Sequence, residues 1–464
     1  MSVATLRKFR HDLRRGLGSA LVTLRSSAEP RRYGEAVRWA CLHLTAYDFQ
    51  SEGGRGWYLH EAARLTGLAQ SIEAEVVDRF AVCPPDGWRF HYLLDILTQF
   101  ALDGSERSRQ ALWEVYSRLM ARFARTVRRD VWWSGVISLE SLALALVRVD
   151  GWDAARTALS DFGDALAMGP EVPKRARWVY FPDYFDPSVR ERFGAAAVDA
   201  YLADQPAPGL RVYGETAAVW RTRPGRGGDH SPEPTVAALV DLADRARRGE
   251  ISPRRLLPVV RQLCWRRDPV YADQVARLGL AESDPVIKTA LLWWFRRRAF
   301  PLPDDDLAPL VDSDHDELRG VVRSILGQRP AAWKRQHALD LLKDPEQVGE
   351  ALNLLQASYR PEDEPVVEAA IRRLSLRHDT WHAAYHNVID LLRPDDRPVA
   401  TRLLEHIYRQ SLCSGCRESA VRLMRDKRAL PDEIARECLW DAQADIRQFA
   451  AQLAAAAADR AASG

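Results

Sequence analysis

Apolar positions recur with helical spacing along most of this chain. Leu6, Phe9, Leu13, Leu17, Leu21 and Leu24 fall three or four residues apart, the repeat of one helix face. Leu112, Val115, Leu119 and Phe123 do the same between Ser108 and Arg129, and Asp95 to Leu102 carries a similar stripe. Such segments run for about a dozen residues and are separated by short Pro, Gly or Asp punctuation, the usual length of helix–helix connections. Asp186-Pro187 is a start signal. Asp caps free amides there and Pro fits the first turn, so a helix is expected from this point to about Ala203. The expected class is all-α.

One stretch breaks the pattern. Gln205 to Pro234 contains Pro206, Pro208, Gly209, Gly214, Pro224, Gly225, Gly227, Gly228, Pro232 and Pro234. That composition interrupts helices and reads as a linker or exposed loop. The chain then divides into an N-terminal helical array over 1–204, the linker at 205–234 and a C-terminal array over 235–464.

The C-terminal array repeats itself. Leu302-Pro303-Asp304 is followed by Leu318-Arg319, and Leu430-Pro431-Asp432 is followed at the same offsets by Ile446-Arg447. Asp316 and Asp445 precede those pairs, and basic segments at Ala290 to Arg298 and Ala420 to Arg428 precede the units. Asp284-Pro285-Val286 and Asp363-Glu364-Pro365 are variants. The unit reads as two helices, the first opening with Pro and acids, the second with an Asp cap, an apolar–Arg step and small residues. One such pair cannot bury its apolar face, so copies must stack.

On these residues the chain resembles HEAT-repeat proteins, most closely from Pro253 to Ala458 and more loosely from Leu6 to Leu202. The segments AYDFQSEGGRGWYLHEAARL and CSGCRESAVRLM are also similar to those of bacterial proteins of this kind. The resemblance implies an α-solenoid of antiparallel helix pairs and no particular activity.

Composition changes the picture only at the margins. The 464 residues exceed what one core accommodates, which leaves about three domains or one repeat array. A net charge of +2 argues against a chain that binds nucleic acid over its whole surface. Lysine is confined to Lys8, Lys174, Lys288, Lys334, Lys343 and Lys427, so arginine carries the positive charge. The basic-then-apolar start, Met1 to Leu24, has helical periodicity rather than a continuous apolar run. It is therefore read as an amphipathic helix and not a leader. No run is long enough to span a bilayer, and the expected location is cytoplasmic.

Candidate chemistry is sparse. Cys413 and Cys416, three residues apart, suit a redox pair, or half a zinc site with Cys438 and His406. A second such pair is missing, and the expected reading is two buried thiols at a helix corner. His378, His382 and His386 recur every four residues before Asp390, but without the Glu a zinc hydrolase needs. Neither series is taken as a metal site, and no cofactor is expected. Trp132-Trp133 and Trp293-Trp294 invite comparison with HEAT-like alkylpurine DNA glycosylases, in which an Asp lies close after a Trp pair, yet Ser134, Gly135 and Val136 follow the first pair and its nearest acids are Asp130 and Glu140. Gly53-Gly54-Arg55-Gly56 lacks the Lys-Ser/Thr of a phosphate loop and reads as a turn.

Two surfaces stand out. Arg118, Arg122, Arg125 and Arg129 form a stripe opposite the apolar face of their helix. Trp178, Tyr180 and Tyr184 crowd a segment from Arg175 to Phe185 beside arginines, the makings of an interaction hot spot. The expected function is a non-enzymatic scaffold that holds a protein or peptide partner. The alternatives are nucleic-acid binding through the arginine stripe and a metal- or redox-responsive solenoid acting through Cys413 and Cys416.

Overall fold

Helices supply all the regular secondary structure among the residues described by this computed structural model, namely 3–45, 54–128, 135–168, 185–204, 208–221, 235–265, 269–374, 380–394, 397 and 400–463. The chain divides into two units. The first comprises Met1–Gly225, Leu412–Glu418 and Pro431–Gly464; the second comprises Arg226–Ser411 and Ser419–Leu430.

The first unit opens with α1 (Val3–Arg15), α2 (Gly18–Ser26), α3 (Gly34–Leu42), α4 (Arg55–Thr66), α5 (Ala69–Val82) and α6 (Trp88–Leu102). It continues through α7 (Glu106–Arg128), α8 (Val136–Asp150), α9 (Trp152–Ala167), α10 (Phe185–Phe193), α11 (Ala195–Asp204) and α12 (Pro208–Arg221). The helices form two layers. In one, α1, α3, α5, α7 and α9 pack in succession; in the other, α2, α4, α6, α8 and α10 do. Each layer buries the apolar stripe of the other, as α7 illustrates with Leu112, Val115, Leu119 and Phe123.

Two helices anticipated as continuous are broken, and the cause is glycine both times. The Leu6 to Leu24 stripe divides at Gly16, where φ is +74°, and the helix expected from Asp186 to Ala203 divides at Gly194, where φ is +88°. Residues with a Cβ rarely take that left-handed backbone. The expected linker also contains a helix. Pro208 opens α12, and Gly209 meets Gly163 of α9 so closely that a Cβ on either would overlap the other helix. The prolines and glycines at that point start and seat a helix rather than prevent one.

The same unit is completed from far along the chain. Helix α23 (Ser414–Asp426) begins in it, and α24 (Asp432–Cys438) and α25 (Ala444–Ser463) belong to it. Helix α24 packs against α2 and so extends the second layer past its first member. The seam is dense and polar. Ala442 N–H donates to the Gly16 carbonyl at 2.8 Å. Arg55, fully buried, donates to the Leu13 carbonyl at 3.2 Å. Arg417 and Asp441, both without exposed surface, pair at 3.0 Å, and Asp441 also accepts from the Gln443 amide at 2.9 Å. Arg25 lies over the Trp440 ring at 3.7 Å and Arg447 over Trp57 at 4.0 Å.

The second unit runs through α13 (Val236–Arg247), α14 (Leu256–Trp265), α15 (Pro269–Ala281), α16 (Pro285–Leu292) and α17 (Asp316–Leu326). It continues with α18 (Ala332–Leu341), α19 (Val348–Leu355), α20 (Glu364–Arg373), α21 (Thr380–Leu392) and α22 (Thr401–Gln410). Here α14, α16, α17, α19 and α21 pack side by side in one layer. Asp284 caps α16 as expected, accepting from the Val286 and Ile287 amides at 2.8 and 3.1 Å. The cap of α17 is His315 and not Asp316: its Nδ1 accepts from the Leu318 amide at 3.2 Å. Leu302-Pro303-Asp304 opens only short 3-10 turns at Asp304–Asp306 and Ala308–Leu310. Its counterpart at Leu430 leads into α24.

Burial holds His60, His91 and His406 below the ordinary histidine pKa of 6.5. The unfolded chain therefore binds protons that the folded chain does not as the pH drops through that value. Stability is complete above it and declines below it, by up to about 1.4 kcal/mol per pH unit for each histidine. Urea midpoints should fall between about pH 7.5 and about pH 5.5; a flat or rising midpoint over that range would contradict the burial of these rings.

Candidate functional site

The exposed face of the layer formed by α14, α16, α17, α19 and α21 is a groove of about 1040 Å³. Each helix contributes one face. Val286, Ala290 and Trp293 come from α16 and the 3-10 turn after it, Glu317, Gly320 and Val321 from α17, Gly349 and Asn353 from α19, and Ala383 and Asn387 from α21. Apart from the adjacent Gly320 and Val321, these positions lie three or four residues apart within a helix, so each set shares one side.

The floor is made of small residues. Ala290, Gly320, Gly349 and Ala383 occur on successive helices of the layer. Gly320 sits inside α17, and a Cβ there would meet only the Glu350 carboxylate oxygen at 3.8 Å. At Gly349 the nearest atoms would be 3.9 Å away. This contrasts with Gly327, where a Cβ would overlap the Asn353 carbonyl. Nothing in the packing requires glycine at 320, and a helix-interior glycine costs about 1 kcal/mol relative to alanine. What the missing side chain leaves is room in the groove. Asn387 is fixed by donating to the Gly349 carbonyl at 2.8 Å, and its own carbonyl accepts from Gln356 at 3.0 Å.

The walls are acidic. Asp314, Asp316, Glu317, Glu346 and Glu350 line the groove against Arg254 and Arg296. Asp316 and Glu350 are held by Arg319 at 2.9 and 3.0 Å, and buried Arg323 donates to Glu350 at 2.6 Å. Burial works against the charge on Arg319, but the bonds to Glu350 and Asp316 outweigh it and hold its pKa above the ordinary value. Asp314, Glu317 and Glu346 are exposed and have no ion-pair partner among the described residues. At one end Trp293, 44% exposed, presents an indole with the Arg296 guanidinium 5.8 Å from its ring centre.

Of the candidate residues singled out from the sequence, Trp293 lines the groove, and the other described ones are not part of its lining. Arg118, Arg122 and Arg125 stand exposed along α7 in the first unit. Arg129, Trp178, Tyr180 and Tyr184 lie outside the described residues, as do Trp132, Trp133 and His378. Cys413 and Cys416 are both buried at the start of α23, their sulfurs within 4.8 Å of each other. His382 and His386 pack edge to face on α21 with ring centres 4.9 Å apart, while Asp390 pairs with Arg393 at 3.0 Å. The groove escaped the sequence reading because its floor is defined by what is missing. The available signal was a small residue recurring roughly 30 residues apart, the period of a helical repeat.

No family model, no curated protein and no solved structure matches the chain.

Proposed function

We propose that this protein is a non-enzymatic helical-repeat scaffold of the HEAT kind, whose second unit holds an extended, basic segment of a protein partner in the groove over α16, α17, α19 and α21. The observation that carries this reading is Gly320: a helix-interior glycine with space for a side chain, on the floor of an acid-walled groove. The stacking of neighbouring helices in layers supports the repeat architecture. Small floor residues let a peptide backbone approach the helices, Asn353 and Asn387 offer amide groups to it, and the unpaired carboxylates complement Arg or Lys side chains. Trp293 supplies a flat anchor for an apolar or guanidinium group at one end.

The test is a selection of displayed peptides on the full chain, with Gly320→Arg as the counter-selecting variant. The expected outcome is enrichment of sequences with Arg or Lys flanking small apolar residues, and their loss on the variant. Enrichment of acidic peptides, or equal retention by both proteins, would contradict the proposal.

A second reading places nucleic acid on the arginine stripe of α7, and it is favoured by the lack of ion-pair partners for Arg118 and Arg125 among the described residues. Phosphate contacts are strongest in low salt. Oligonucleotide binding at about 50 mM salt that survives Arg118→Glu/Arg125→Glu would remove this reading.

A further inference from the structure

A second cavity lies in the first unit, between α1 and α3. It is a half-open cleft of about 590 Å³, a volume within the range of small-ligand sites. Leu13, Ala36 and Ala40 form an apolar floor. Arg7, Arg10 and Arg14 stand on one face of α1, three and four residues apart, and all three are exposed.

Other surface arginines of this unit are matched to acids, as Arg38 is with Glu35 and Glu75, each at 3.2 Å, and Arg109 with Asp150 at 2.7 Å. Arg7, Arg10 and Arg14 have no carboxylate partner among the described residues. Asp12, the nearest acid in sequence, is committed to Lys8 and Ser19, and Glu35, the one carboxylate in the cavity lining, pairs with Arg38. Three like charges on one helix face repel one another, and an anion in the cavity would neutralise them.

The opposite wall selects the kind of anion. Trp39 is 49% exposed, although it lines the cavity. Its indole stacks on the His43 imidazole with centres 4.7 Å apart and planes 12° apart, and His43 is held by a 2.8 Å bond to the Trp39 carbonyl. That stacking fixes the plane of a half-exposed indole in the cavity lining. Arginine forks and a fixed aromatic ring in one cavity suit a ligand with phosphate at one end and a planar ring at the other.

We infer that the cavity between α1 and α3 binds a nucleoside phosphate, its phosphate on Arg7, Arg10 and Arg14 and its base stacked on Trp39. A free nucleotide and the end of a single-stranded nucleic acid carry the same group. Binding to the full chain is measured with two probes, a fluorescent ATP analogue and a labelled oligo-dT of about 12 nucleotides. The variants are Trp39→Ala and Arg10→Ser/Arg14→Ser, whose exposed positions leave the fold intact, with a thermal melt as the check on folding.

The expected result is binding of at least one probe that weakens about tenfold or more in both variants while their melting is unchanged. Binding of the ATP analogue assigns the site to free nucleotides, and binding of the oligonucleotide alone assigns it to nucleic acid. Dissociation constants above about 1 mM for both probes would overturn the inference. So would equal competition by pyrophosphate together with no effect of Trp39→Ala, which would leave an anion site without a base.

Discussion

Asp441→Ala should destabilise the first unit by about 3–5 kcal/mol, the loss that follows when one partner of a buried ion pair is removed. Asp441 and Arg417 are both without exposed surface and lie 3.0 Å apart. Alanine leaves a guanidinium in the interior without its carboxylate. It also takes the acceptor from the Gln443 amide, which Asp441 holds at 2.9 Å just before α25 begins. The neighbourhood has no slack for relaxation. Ala442 is bonded to Gly16, and a Cβ at Gly18 would overlap the Glu437 carbonyl. The measurement is urea unfolding together with hydrogen exchange, and the amides of α1, α2 and α4 should lose protection first. Replacing both partners, Arg417→Met with Asp441→Leu, should recover much of the loss, because the damage comes from the orphaned charge and not from the missing attraction. A single variant within about 1 kcal/mol of wild type would show that the seam does not carry the unit.

Lys334→Met should have the second-largest effect, in the other unit. Lys334 is fully buried, and its ammonium donates to the Leu326 carbonyl at 2.8 Å, to the Arg329 carbonyl at 2.9 Å and to the Asp304 carboxylate. One side chain thus caps the end of α17, holds the turn after it and anchors the 3-10 turn at Asp304–Asp306. Methionine keeps the volume and removes all three bonds. Buried acceptors without donors cost about 1–3 kcal/mol each, more where charged, although Arg329 still reaches Asp304 at 3.4 Å. The expected loss is about 3 kcal/mol. Lys334→Arg should not rescue it, because a planar fork cannot reach three acceptors arranged around a point charge. Unfolding midpoints for both variants within error of wild type would contradict this role.

These two sites mark the limit of what the sequence discloses. Helical periodicity exposed the buried face of α7 at Leu112, Val115, Leu119 and Phe123, and Asp284-Pro285 announced the start of α16, because those signals are local. Gly16 and Gly194 were visible as residues, but only the backbone reveals that they take positive φ and end a helix. The return of α24 and α25 to the first unit depends on Arg417 and Asp441 and on Arg55, which lies hundreds of residues before them, and the three carry no shared pattern. Lys334 looked like one of a few scattered lysines. The groove was hidden for a different reason: its floor is a set of small side chains, and its walls draw acids from several helices that only stacking brings together. The opening segment was expected to form an amphipathic helix from its leucine spacing alone; the cavity beside the arginines of α1 depends on where α3 places Trp39.

The most direct measurement is an affinity titration of one selected basic peptide against wild-type protein and Gly320→Arg. A Cβ at Gly320 meets no atom closer than 3.8 Å, so the arginine fits the fold while occupying the groove and pairing with its acids. Losing a mid-helix glycine should leave the melting temperature unchanged or raise it slightly. The account predicts binding weakened by about tenfold or more in a protein at least as stable as wild type. Undiminished affinity in that variant would place the partner elsewhere and contradict the assignment of the groove.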